Sequence, residues 1–142
     1  MKRTIILIYM TILGVALHAT SAVPENRFIG EWEGSVEGYH FNIVFMYDNM
    51  CNITVKTVQD GAEIIEDTEG TWSCDKDEDI IRINGNFTKS KIKNLNRINW
   101  TSVYIFLNND QSAFNMNITL PGAGKQTRIS FAKITVPYWG TP

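Results

Sequence analysis

Residues 23–142 predict an all-β fold: one antiparallel up-and-down barrel of about eight strands. Along almost the whole segment the apolar residues recur with period two rather than 3.6, the mark of strands buried on one face. Turn chemistry such as Asp48-Asn49, Asp60-Gly61, Asn84-Gly85 and Pro121-Gly122 punctuates the chain. It returns roughly every 8 to 12 residues, so consecutive strands are expected to pair as hairpins. A meander of this size hides its edges best by closing on itself. A two-sheet sandwich is the alternative, and it would need longer crossover connections.

The first strand, residues 30–37, sets Trp32 and Val36 against Glu31, Glu33 and Ser35. After Gly38, the residues Tyr39, Phe41, Ile43, Phe45 and Tyr47 form the next apolar face, and Asp48-Asn49 turns the chain into residues 50–58 with Cys51, Ile53 and Val55 on one side. Shorter strands follow at 69–74 and at 79–84, separated by the acidic turn Asp75 to Glu78. Residues 86–94 show no clear pattern. A strong strand then covers 96–107, and 112–120 alternates Phe114, Met116 and Ile118 with Asn115, Asn117 and Thr119. The last strand covers 127–135.

Ahead of this domain, Lys2 and Arg3 precede an apolar stretch at 5–17 and the small residues Ala19-Thr20-Ser21-Ala22. That is the layout of a secretory signal peptide. It is shorter than the roughly 20 residues a membrane-spanning helix needs. Residues 1–22 are therefore expected to be removed, leaving a single domain at 23–142 that is secreted or periplasmic, with no transmembrane anchor. The mature segment carries 11 basic against 15 acidic residues, which argues against a nucleic-acid partner. In an oxidising compartment Cys51 and Cys74 are expected to pair as one disulfide, with two unpaired buried thiols as the alternative.

Phe28-Ile29-Gly30-Glu31-Trp32 places a Gly-x-Trp at the first strand, and Arg128 lies in the last. This resembles the lipocalin and wider calycin pattern. The resemblance implies that Trp32 sits at the closed end of the barrel against Arg128. A second Gly-x-Trp, Gly70-Thr71-Trp72, is similar to the mid-chain strand of small bacterial lipocalin-like domains. Avidins and small bacterial metalloprotease inhibitors open with a comparable Gly-x-Trp. The polar ring with which avidins hold biotin has no counterpart here.

No catalytic constellation emerges from the linear sequence. His40 is the only histidine after His18, with no evident nucleophile beside it, and it reads as an exposed strand residue. Asp75 to Asp79 lacks the Gly and the terminal Glu of a calcium loop, so no metal is expected; no cofactor is expected either. Lys89, Lys91 and Lys93 alternate near Arg97, which suits an edge strand guarded by charge or an anion or glycan site. Sequons occur at Asn52, Asn86, Asn99 and Asn117. Phe41, Phe45, Trp72, Trp100, Tyr104 and Phe114 are the expected ligand-contacting residues, since barrel sites are mostly apolar; the bland alternative is that they fill the core. The tail Val136 to Pro142 holds Tyr138 and Trp139 and suits a barrel plug or a partner contact. The leading expectation is a secreted, non-enzymatic, lipocalin-like carrier of a small apolar or amphipathic ligand. A protein-interaction module or inhibitor-like barrel is the alternative, favoured if the interior is solid.

Overall fold

The computed structural model describes residues 27–134. The signal-peptide segment and the aromatic tail lie outside these residues. The chain forms β1 (Gly30–Val36), β2 (Tyr39–Phe45), β3 (Met50–Gln59), β4 (Ala62–Asp75), β5 (Ile80–Asn86), β6 (Arg97–Val103), β7 (Ile105–Phe106), β8 (Ala113–Thr119) and β9 (Gln126–Lys133). All pair antiparallel in one sheet of order β6-β5-β4-β3-β2-β1-β9-β8-β7. The result is a nearly closed up-and-down barrel with nine strands rather than eight.

The extra strand has a simple origin. The two edges of the sheet, β6 and β7, are successive parts of one extended run interrupted at Tyr104. Its first part pairs with β5, and its last part pairs with β8 through Ile105 opposite Asn115 and Phe106 opposite Phe114. Tyr104 donates its N–H to the Asp79 carbonyl at 2.9 Å, the last bond on the β5 side, and Leu107 donates to Ala113 at 2.9 Å on the β8 side. One strand therefore changes partner at Tyr104 and carries the sheet round on itself, which removes most of the exposed edge that a flat sheet would leave.

Inward positions follow the period-two pattern without a break, as in Ile81, Ile83 and Gly85 on β5, or Phe114, Met116 and Ile118 on β8. Both ends are stoppered. At one end Phe28, fully buried, lies between 4.9 and 6.2 Å from the rings of Trp32, Phe45, Trp72, Tyr104, Phe106 and Phe114, mostly edge to face. Such pairs add about 0.5–1.5 kcal/mol each beyond their burial. At the other end the loop at 87–96 turns Phe87, Ile92 and Leu95 into the core. The β3–β4 hairpin holds that loop: Lys91 and Lys93 donate their N–H groups to Glu66 and Gln59, both at 2.7 Å. Lys89, Lys91 and Lys93 are thus exposed on a capping loop and not on an edge strand.

Gly30 gives the first Gly-x-Trp a physical meaning. A Cβ there would come within 2.9 Å of Lys133 Cε, so its absence lets the Lys133 stem cross the start of β1. Lys133 Nζ then lies 5.6 Å from the centre of the Trp32 ring, a cation on an aromatic face. Arg128, expected in this role, is exposed on the same strand with Asn117 opposite. It lies five residues before Lys133 and on the outward side.

The expected disulfide is absent: Cys51 and Cys74 are both buried and are not bonded to each other. They do lie on neighbouring strands, as the sequence suggested, but the register puts Cys51 opposite Gly70. Cys74 is four residues further along β4, about 13 Å at the strand rise, against the roughly 7 Å limit for a bridged pair. A Cβ on Gly70 would overlap the Asn84 carbonyl oxygen and crowd Cys51 Sγ at 3.3 Å, so the small residue leaves room for the thiol. Cys74 Sγ–H donates to Tyr104 Oη at 3.5 Å. Burial pushes the Cys51 thiol up to about 11. Burial first, and then the bond with Cys74, also holds the Tyr104 phenol above its ordinary range.

Two outcomes are expected. Phe28→Ala lowers the unfolding free energy in urea by about 3–5 kcal/mol, whereas Ile65→Ala, at an exposed site, changes it by no more than about 0.5 kcal/mol. Cys51 stays unreactive toward a thiol reagent at pH 7 while the protein is folded, because its raised pKa leaves almost no thiolate, Cys74 is shielded by burial, and both react once guanidinium unfolds the chain.

Candidate functional site

The six residues expected to contact a ligand all point inward, and none is more than 4% exposed. The structure divides them between the two ends. Phe45, Trp72, Tyr104 and Phe114 surround Phe28. Phe41 and Trp100 meet at the other end, edge to face with centres 5.1 Å apart. Together with the aliphatic side chains between them they form one continuous apolar core. Trp32, Trp72 and Trp100 each donate the indole N–H to a backbone carbonyl, on Phe28, Met46 and Thr119, at 2.8, 3.0 and 3.1 Å. Among the described residues no buried side-chain N or O lacks a partner. All six expected residues thus belong to the buried core cluster.

Three features of the surface stand out. The first is the seam between β6 and β8. The β8 segment from Met116 to Thr119 has no ladder partner on that side, so side chains bridge the gap: Asn117 N–H donates to Ser102 Oγ at 2.8 Å and Trp100 to the Thr119 carbonyl. A groove of about 350 Å3 opens beside it, with Phe41, Leu95, Trp100 and Leu120 in its floor and Asn94 and Arg97 at its rim.

The second is an apolar stripe on the outside of the barrel. Val103, Ile105 and Leu107 alternate through the strand break and are 56, 58 and 51% exposed. Ile80 lies opposite Val103, and Ala113 and Ala132 extend the patch across β8 and β9. The turns at this end of the barrel carry Asp48, Asp75, Asp77, Glu78, Asp79 and Asp110 against the cations Lys76, Arg27 and Lys133, so the stripe has a net acidic border. Lysines 89, 91, 93 and 125 stand at the opposite end, interspersed with acids of the β3–β4 hairpin.

The third is His40. The sequence reading found no nucleophile beside it, but the hairpin register pairs it directly with Ser35. Ser35 Oγ lies 2.7 Å from His40 Nδ1, and His40 Nε2 lies 3.5 Å from Glu33 Oε2. The two-residue turn Glu37-Gly38, both at positive φ, sets this register. It was the signal available in the sequence, because a two-residue loop fixes which residues face each other.

Among the described residues no group of three or more His, Cys, Asp or Glu side chains is placed to hold a metal ion. Comparison with known proteins finds no matching family model, no matching curated protein and no matching solved structure.

The seam generates a direct expectation. Ser102→Ala leaves the Asn117 N–H without its acceptor, costs about 1 kcal/mol, and speeds amide exchange at Asn117 more than at residues paired in the β8–β9 ladder.

Proposed function

We propose that this chain is an exported protein-interaction module that uses the outside of a solid barrel. The observation carrying this reading is the combination of a filled interior with the exposed stripe Val103–Ile105–Leu107. Single exposed apolar residues need no explanation, but a contiguous row with a polar border is the usual form of a contact surface. The border is acidic, so the partner that fits is a protein presenting apolar side chains flanked by Lys or Arg. The cation seated on Trp32 and the barrel topology support kinship with the calycin group, with Lys133 in the place the resemblance gave to Arg128.

A second reading, binding of a small amphipathic ligand, is favoured by the seam groove. Its volume falls at the lower end of the 300–1,000 Å3 range of small-molecule sites, and it reaches two of the expected wall residues, Phe41 and Trp100. A ligand held there would lie at the barrel wall rather than in a lumen.

The test places a photo-crosslinking residue at Leu107 and, separately, at Val58 on the far hairpin, in protein exposed to its own extracytoplasmic fraction. Crosslinks to one partner from position 107 and not from 58, lost in Ile105→Asp and weakened by added salt, are expected. A naphthalene-sulfonate probe that binds saturably and quenches tryptophan emission, with no crosslink at 107, would favour the seam reading instead.

A further inference from the structure

The outer face of the β1–β2 hairpin carries a reactive arrangement that the interaction reading does not use. Glu33 and Ser35 are successive outward residues of β1, and His40 is the outward residue of β2 opposite Ser35. Their spacing makes a directional chain: with the imidazole proton on Nε2 facing Glu33, Nδ1 is free to accept the Ser35 Oγ–H. A hydroxyl within hydrogen-bond reach of a base that a third group orients is the signature of an activated nucleophile. The histidine is 34% and the glutamate 49% exposed, so a substrate reaches the site with no part of the fold having to open.

A groove of about 390 Å3 adjoins this chain, lined by Ser35, Val36, Tyr39, His40, Lys56 and Val58. Val58 is 64% exposed and offers an apolar surface for an acyl chain, while Val36 at the groove's edge packs against the core. Lys56 is the direct cross-strand partner of His40 on β3, a position where Cβ atoms are about 5 Å apart. Lys56 lines the groove together with Glu37 and Glu63, and in the reaction inferred below its ammonium is the charge assigned to the oxyanion. The three parts a hydrolytic site requires, a nucleophile with its base, a charge for the oxyanion and a surface for the acyl group, are thus gathered on three neighbouring strands.

We infer that Ser35, with His40 as its base and Glu33 as a positioning residue, performs acyl transfer on small activated esters of apolar acids. Ser35 Oγ attacks the ester carbonyl carbon as its proton passes to His40 Nδ1. The tetrahedral oxyanion then collapses, the alcohol leaves with that proton, and the acyl group remains on Oγ. Water attacks the acyl-serine with His40 again taking a proton, which returns to Ser35 Oγ as the carboxylic acid departs. The sum is ester plus water giving acid plus alcohol.

The experiment uses p-nitrophenyl butyrate and a fluorophosphonate probe with the protein as it folds natively. Phenolate release at least about tenfold faster than from equimolar imidazole is expected, since a positioned base typically contributes about 10² or more, along with a probe adduct on the Ser35 peptide. Ser35→Ala should abolish the adduct and bring turnover down to the imidazole rate, and His40→Gln should do the same for turnover with the fold unchanged by circular dichroism. Glu33→Gln should lower kcat and leave KM unaltered, the mark of a group that orients the base without binding the ester. Wild-type turnover no faster than imidazole, an adduct on Lys56 in place of Ser35, or full activity in Ser35→Ala would each overturn the inference.

Discussion

The molecule depends on one change of partner. Strand pairing through Val103 belongs to β5, pairing from Ile105 belongs to β8, and Tyr104 between them keeps its ring in the core while its N–H still serves the Asp79 carbonyl. A sheet curling back on itself needs some such point, because tilt and stagger must bring its first and last edges together. Here both edges are the same stretch of chain, so closure requires no additional strand. What is left open is the short seam along β8, and Ser102 and Trp100 supply there the bonds that a ladder would have made.

A barrel of this size either packs its interior with side chains or holds one small ligand, and this chain lines the interior with rings. Phe28 acts as the hub of one end because it arrives from outside the sheet, ahead of β1, and is free to enter along the barrel axis. The capping loop does the same at the other end with smaller aliphatic residues. Both mouths are plugged, and the exterior carries mainly Asn, Thr and charged side chains, interrupted by the apolar stripe and, on the β3–β4 hairpin, by Val58 and Ile65. The sequons reflect this geometry: each is an outward Asn and Thr around a buried residue, namely Ile53, Phe87, Trp100 or Ile118.

Much of this was legible in the sequence. Period-two alternation identified the fold class and assigned Trp32, Phe41, Phe45, Trp72, Trp100 and Phe114 to strands. The strand break was hidden because Trp100, Ser102, Tyr104 and Phe106 keep one period across it; the hydrogen-bond partner changes there, and the pattern does not. β4 was read as short because Ala62 to Thr68 alternates weakly, being exposed on much of both faces. Phe28 was missed as a core residue because it precedes the first turn signal. Whether two cysteines on adjacent strands meet depends on an offset of a few residues, which composition leaves open. Ser35 and His40 were within reach, since the tight Glu37-Gly38 turn places them face to face.

The one-sided placement of acidic turns around the aromatic-plugged end has a consequence for motion in solution. An end where acids outnumber the cations Lys76, Arg27 and Lys133, opposite an end of more even sign, gives the molecule an orientation in the field of an approaching cationic surface before the two touch. Within a screening length of about 8–10 Å the barrel turns its acidic turns, and the stripe beside them, toward that surface. Encounters then begin already aligned, and dilute salt lengthens the range over which alignment acts.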